Sequence, residues 1–391
     1  MTVLKIDCSE WNNESRDKRE LSVCQELGIK TFVMAKGKPG DKYKHDLVSG
    51  IDVLRFSTQP LGNKIYKGLN QFISLFMWAH YARKLKPDII SGHDISGLTI
   101  GWISNWFRAE KAKLVYDSHE FEIGRNANRS KLQTWVITHL ERLLIKKCAF
   151  SIMVNDMIAD EVQKIHKLDK HPVVVRSTPN FWTVDDAVTQ IIHMKYCDAL
   201  NIPNDSFIIM YHGAVMKNRG IETLLEVVAK TRNIYAVILG DGDKKYLESL
   251  KDKARELGVE NCVLFHKAVP IEELWKYVGA ADIGMILAPD IAPSYFFGLT
   301  NKFFENIQSE TPIICPGYPA MKPIVEKYKI GMTCDPTNVG EIVDCVERMR
   351  RDKEFYNNCR TNIKIAKQDL CWEKEKEKLI KSYKNLMNNN K

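Results

Sequence analysis

Short apolar runs alternate along the chain with longer stretches of helical spacing. Runs at residues 3–7, 31–35, 51–56, 86–92, 114–117, 152–154 and 173–175 have strand length and strand composition. Between them, residues 17–27 place Leu21, Cys24 and Leu27 on one helical stripe closed by Gly28, and residues 65–84 form a long apolar helix. After Pro179-Asn-Phe-Trp182 the pattern restarts. Strands are expected at 207–212, 236–239, 263–265, 283–287, 313–315 and 332–334, with helices at 221–230, 244–256, 271–277 and 339–351. Such alternation implies βαβ units and parallel sheets covered on both faces. The expected fold class is therefore α/β, with two Rossmann-like parallel-sheet domains facing a cleft. The boundaries fall at 1–182 and 183–369, with 177–186 as linker. The tail, 370–391, holds a charged helix at 372–388 expected to pack back on the first domain.

In such folds ligands bind outside the carboxyl ends of the strands, so the strand-to-helix loops are the places to look. Residues 295–312 read as a loop running into a short helix. Gly298 permits a tight turn or close ligand approach, and Thr300 is a plausible N-cap. Asn301, Lys302 and Glu305 follow at spacings that let them share one face. A helix N-terminus presents free N–H groups and partial positive charge, which suit a phosphate. Lys302 adds a full charge there, and Glu305 can accept hydrogen bonds from a vicinal diol. Diphosphate plus ribose is what a nucleotide presents. The plain alternative is a capped surface helix with an incidental Lys–Glu pair.

Other strand ends offer partners. Gly213 ends the first strand of the second half, with Arg219 at the start of the next helix, where a guanidinium can fork onto phosphate oxygens. Gly240-Asp-Gly-Asp243 contains an Asp-x-Asp spacing. Asp243 reads better as an N-cap and the glycines as close-approach positions, so no metal is expected there. Phe265-His-Lys-Ala-Val-Pro270 follows another strand and could meet a base through its main chain, with His266 read as a structural residue. In the first half, Asp117, His119 and Glu120 cluster at one strand end, where a carboxylate could act on an acceptor hydroxyl and His119 could touch a substrate; capping and turn roles explain Asp117 and Ser118 equally well. Gly92-His-Asp94 is a similar but weaker case, and Arg16-Asp-Lys-Arg19 reads as mainly structural.

In order, these loops resemble family-4 glycosyltransferases of the GT-B fold, retaining enzymes that use nucleotide-sugar donors. The pieces are Tyr116-Asp-Ser-His-Glu120, Tyr211-His-Gly-Ala-Val with Arg219-Gly220, Gly240-Asp-Gly242, the 265–270 loop, and Thr300-Asn-Lys-Phe-Phe-Glu305 with Thr311-Pro-Ile-Ile314. The ordered set carries the likeness; no single motif does. It implies a hexosyltransferase with Arg219, Lys302 and His119 as catalytic residues. Donor contacts would come from Gly213, Gly240, Val269, Gly298, Leu299, Thr300, Asn301 and Glu305, with Asp117 and Glu120 on the acceptor side. The co-substrate would be a UDP- or GDP-linked sugar, with no cofactor and no metal, and the acceptor a saccharide or lipid-linked molecule of surface polysaccharide or glycoconjugate biosynthesis. Two departures stand out. The family's Glu-x7-Glu pattern would put its first Glu at position 297, which is Phe297, and the Arg common after the first glycine is Ala214.

Composition narrows the setting. Hydrophobic residues make up 45% and charged residues 27%, ordinary for a globular protein. Ten scattered cysteines without metal-like spacing argue for a reduced, cytoplasmic compartment, and neither a signal peptide nor a spanning segment is expected. Net charge is +8, and all of the excess lies in residues 1–182, where 28 Lys and Arg face 20 Asp and Glu; residues 183–391 hold 29 of each. An acidic partner is indicated for the first half. An anionic membrane surface is one candidate, with the helices at 65–84 and 132–147 as contacts, and nucleic acid is not expected. The alternative makes both of them core helices. Other functional readings are a nucleotide-sugar 2-epimerase of the same fold and a non-catalytic sugar-nucleotide binding protein. A dehydrogenase is disfavoured because no G-x-G-x-x-G follows the first strand.

Overall fold

The computed structural model describes residues 1–11, 15–38, 43–48, 50–61, 67–125 and 129–388, with backbone only at Ser15 and Lys67. The chain divides into two compact units, Met1–Arg176 with Lys376–Lys391, and Ser177–Glu375.

The first unit is built on β1 (Thr2–Ile6), β2 (Lys30–Lys36), β3 (Lys44–Val48), β4 (Ile51–Phe56), β5 (Ile89–His93), β6 (Lys113–Ser118), β7 (Cys148–Met153) and β8 (Val173–Val174). They lie in the order β3-β4-β2-β1-β5-β6-β7-β8. Every neighbouring pair is parallel except β3 with β4. Its helices are α1 (Ser15–Glu26), α2 (Lys67–Lys84), α3 (Asp94–Ser104), α4 (Lys131–Ile145) and α5 (Asp156–His166). Residues 65 and 66, expected in the second of these, lie outside the described residues. The periodicity did not predict β3, a charged edge strand with Leu47 exposed. Nor did it predict α3, which is apolar on most sides and buries Gly97 and Gly101 against the sheet, leaving no amphipathic stripe to read.

The second unit carries β9 (Phe207–His212), β10 (Ile234–Leu239), β11 (Val263–His266), β12 (Ile283–Met285), β13 (Ile313–Pro316) and β14 (Gly331–Cys334), all parallel. Their order is β11-β10-β9-β12-β13-β14. Counted from β9 this is 3-2-1-4-5-6, the doubly wound order. Alternate residues of β9 feed the two faces: Ile209 and Tyr211 join one core cluster, Ile208 and Met210 the other. Its helices are α6 (Asp186–Leu200), α7 (Ile221–Lys230), α8 (Lys244–Glu256), α9 (Leu274–Val278), α10 (Pro293–Phe296), α11 (Asn301–Gln308), α12 (Lys322–Tyr328), α13 (Val339–Arg351) and α14 (Lys353–Asp369). The last helix, α15 (Trp372–Asn388), starts in the second unit, where Glu373 accepts from the Phe181 amide. It ends in the first, where the Tyr383 hydroxyl donates to Glu20 at 2.8 Å and Lys376 pairs with Glu26. Among the described residues no helix is long and apolar enough to cross a membrane.

Candidate active site

In a doubly wound sheet the strand order reverses at one point, and ligands bind there beyond the strand ends. In the second unit that point lies between β9 and β12. The chain leaves β9 through Gly213, whose φ of +104° excludes most side chains. A Cβ at Gly240, after β10, would fall 1.9 Å from the Gly213 carbonyl oxygen. The two loops thus meet backbone to backbone. On this floor lies Lys302 of α11: a Cβ at Gly213 would come within 2.7 Å of its Cε and 3.0 Å of its Nζ. The ammonium also sits 5.1 Å from the centre of the Tyr211 ring. Burial pushes its pKa down to about 8, the charge of Arg219 acts in the same direction, and Glu305 opposes both. Among the described residues no carboxylate lies within ion-pair distance of Lys302. Arg219 likewise has none. Its guanidinium lies 5.5 Å from the Tyr295 ring centre, and its Nε is buried without a hydrogen-bond partner.

The rest of the loop–helix is placed as follows. Thr300 occupies the N-cap position of α11 with extended backbone, yet its hydroxyl makes no capping bond and is buried without a partner. The expected cap bond is therefore absent, and the first amides of α11 lack their side-chain acceptor. Asn301 is exposed and Leu299 is buried. Gly298 follows α10, its amide donating to the Tyr295 carbonyl at 3.2 Å. A Cβ there would crowd the Ser294 carbonyl, so the chain itself makes the close approach at this position. Glu305 pairs through Oε2 with buried His212 at 2.9 Å, a partner the sequence reading missed. Val269 packs against the core cluster beneath α9. Asp243 caps α8, accepting from the amides of Lys245 and Tyr246.

The corresponding point of the first unit lies at the ends of β1, β5 and β6, and it is densely ionised. Lys5, mid-strand and fully buried, places its Nζ 3.1 Å from Asp17, 2.5 Å from Glu20 and 2.7 Å from Asp117. Burial alone would lower its pKa; the three carboxylates reverse that and raise it well above the usual lysine range. Asp17, Glu20 and Asp117 lie close enough together to hold a metal ion, and the ammonium of Lys5 occupies their centre. Asp117 also accepts from Arg16 at 3.1 Å and from His119 at 3.0 Å. Its burial would raise its pKa, and Lys5, Arg16 and His119 instead hold it well below the carboxylate range.

Asp117, expected on the acceptor side, is thus a buried member of an ion cluster, with 1% of its side chain exposed. It holds His119 in place and does not present a free base. His119 keeps 17% of its side chain exposed. Burial lowers its pKa, but Asp117 and Asp17 raise it to about 9. Its ring lies 3.7 Å, centre to centre, from that of His93, which Asp17 also holds toward the protonated form against the effect of burial. The His119 amide donates to Asp94, a residue at φ +53° whose other oxygen takes Arg125 at 2.7 Å. Glu120 is half exposed and pairs with Arg125 at 3.2 Å. Arg16 is structural as expected, bonding the Val175 carbonyl as well as Asp117.

Both units are Rossmann-like sheets, and the fold is of the GT-B class. Sucrose-phosphate synthase from Thermosynechococcus elongatus superposes with a TM-score of 0.80 at 15% identity over all of both chains. Anabaena HepE in complex with UDP-glucose does so with a TM-score of 0.76 at 16% identity, over 98% of this chain and 100% of that one. Residues 195–366, within the second unit, match the family model of glycosyl transferases group 1. A curated relative, mannosylglucosylglycerate synthase of Petrotoga mobilis, is 23% identical over 243 residues, 54% of each chain. The chain thus spans about half the length of that relative.

Proposed function

We propose that the protein is a hexosyltransferase that moves a sugar from a nucleoside diphosphate to a saccharide or lipid-linked acceptor, with retention at the anomeric carbon. The observation that carries this reading is the pair Lys302 and Arg219: a half-buried lysine and a guanidinium, neither ion-paired among the described residues, above a bare glycine floor at the switch point of the donor-side sheet. Cations held so need an anion, and a diphosphate supplies it. The amides at the start of α11 and the unpartnered Thr300 hydroxyl add donors at the same end. Glu305, fixed through His212, is positioned to accept from a ribose diol. HepE in its complexes with UDP and UDP-glucose supports a nucleotide sugar.

In the proposed reaction the bond from the sugar C1 to the phosphate oxygen breaks while the acceptor oxygen bonds C1 on the same face. The acceptor proton passes to the departing diphosphate. Lys302 and Arg219 stabilise the charge that develops on that group, and no nucleophilic side chain is required. His119, protonated and steered by Asp117, supplies a donor to a hydroxyl of the transferred hexose. The proposed setting is the cytoplasm, at the inner face of a membrane that carries the acceptor.

Thermal shift against UDP-, GDP- and ADP-sugars identifies the donor, since a bound ligand raises the melting temperature by mass action. With that donor, Lys302→Ala is expected to lower turnover at least about 100-fold, the cost of losing one oxyanion donor. Unchanged turnover overturns the assignment.

A further inference from the structure

The first ten residues of α4 include none that is buried. Helices of α/β domains are held by an apolar face on the sheet, and this half of α4 has only the partly buried Ile137 and Leu140 for one. A capping box closes its start: the Gln133 amide donates to Ser130 Oγ at 3.2 Å, and Gln133 Oε1 accepts from the Ser130 amide at 3.0 Å. Its apolar residues nevertheless recur at helical spacing on the outside: Leu132 is 70% exposed, Trp135 58%, Val136 47% and Leu143 48%. From Arg129 to Lys147 the only acid is Glu141, which is buried on Tyr116 and His166. Lys131, Arg142, Lys146 and Lys147 make the segment cationic, while Arg129 is paired with Glu122 at 2.7 Å.

The C-terminal end of α4 leads into a broad open cavity of about 1280 Å³ at the amino ends of β6 and β7, the opposite edge of the sheet from His119. Lys111, Lys146, Lys147, Lys167 and Lys170 line it, and among the described residues none of these five is ion-paired. Asp169 is the one acid in the lining. Converging like charges destabilise a fold unless an anion covers them. Beside them stand Trp106, 39% exposed, and Phe107, 91% exposed. Phe107 has a φ of +61°, a left-handed backbone that a bulky residue adopts only under constraint.

We infer that the outer stripe of α4 and the lysine-lined cavity beside Trp106 and Phe107 form one docking surface for an anionic lipid bilayer. Aromatic and aliphatic tips enter the headgroup region while unpaired lysines meet lipid phosphates, a combination that fits an interface better than a soluble polyanion, which leaves Phe107 and Leu132 in water. The inference is independent of the transfer reaction.

The test is flotation of the full chain with vesicles of phosphatidylcholine alone or mixed with phosphatidylglycerol. Binding is expected only to the mixed vesicles, strong at about 0.01 M salt and weaker at about 0.15 M, as the screening length falls from about 30 to about 8 Å. Each lysine near an anionic surface is worth about fivefold in partitioning, so K146E/K147E is expected to bind at least about 25-fold more weakly. Phe107→Ser is expected to weaken binding even at low salt while leaving the melting temperature within a degree or two. Three results each overturn the proposal: no binding to mixed vesicles at low salt, equal binding by K146E/K147E and the unaltered chain, or retention on heparin without vesicle binding, which would mark a soluble polyanion site.

Discussion

Each unit holds a lysine beside its switch point, Lys5 fully buried and Lys302 half-buried, and the two are treated in opposite ways. Lys5 is surrounded by Asp17, Glu20 and Asp117, and its pKa is raised despite full burial. Among the described residues Lys302 has no carboxylate within ion-pair distance, and burial together with Arg219 lowers its pKa to about 8 against the opposing charge of Glu305. A buried charge that finds its counter-ions within the chain is part of the scaffold. One that lacks them raises the free energy of the empty protein and is expected to recover it when an anion binds. The first unit therefore spends its ionised groups on fixing His119 and the ends of β1 and β6. The second leaves its own unpaired at the place where a diphosphate is proposed to sit.

The sharpest way to break this contrast is to exchange the lysines for methionine. Lys5→Met leaves three carboxylates buried around an apolar tip, and losing one partner of such a cluster costs about 3–5 kcal/mol. Its urea midpoint is expected to drop steeply, and an unchanged midpoint would show the cluster to be dispensable. Lys302→Met is expected to keep or raise the apparent stability without ligand while turnover falls about 100-fold or more. Stability lost in parallel with activity would erase the distinction.

Protonation gives an intermediate effect. The Lys302 pKa is lower in the folded state than in the unfolded chain, so between about pH 8 and the ordinary lysine value the unfolded state binds more protons. Its contribution to stability rises across that window, while donor affinity falls as the cation is lost. His119 runs the other way. Its folded pKa of about 9 exceeds the ordinary histidine value, so its stabilising contribution is complete below about pH 6.5 and disappears as pH rises through 9. Chemical-shift titration of the His119 ring checks this, and in Asp117→Asn its midpoint is expected to fall toward 6.5. The smallest effect belongs to Thr300→Val. Removing a buried hydroxyl that has no partner is expected to stabilise the empty protein by about 1 kcal/mol and to weaken nucleotide binding by a comparable amount. Equal loss of both would mean the hydroxyl caps α11 after all.

Legibility in the sequence followed the range of the contacts. The strands of both sheets other than β3 were readable because each is a local apolar run. Lys302 and Glu305 were readable because they sit one turn apart at a helix start. Asp243 announced its cap by position alone. The ion cluster was hidden: Lys5 looks like an interruption in an apolar strand until Asp117, 112 residues on, comes within 2.7 Å. The pairing of Glu305 with His212 spans 93 residues and was equally invisible. Residues 186–200 form α6, although 177–186 read as a linker and nothing beyond it signalled a helix. Thr300 had the residue type and position of a cap and lacked only the bond. That detail depends on where the neighbouring loop places its hydroxyl.

The discontinuity of the first unit bears on how the chain is made. Tyr383 is fully buried and donates to Glu20, which also holds Lys5 and Ser91. The sheet that contains those residues is synthesised by Arg176, yet the segment that completes its packing begins at Lys376. At about 5–20 residues per second, the 199 intervening residues take roughly 10–40 s. For that interval Glu20 waits without its final partner, while the second unit is translated. A ribosome pause or a chaperone acting in that window would therefore bear on the first-made half of the protein, whose native state is the last to be reached.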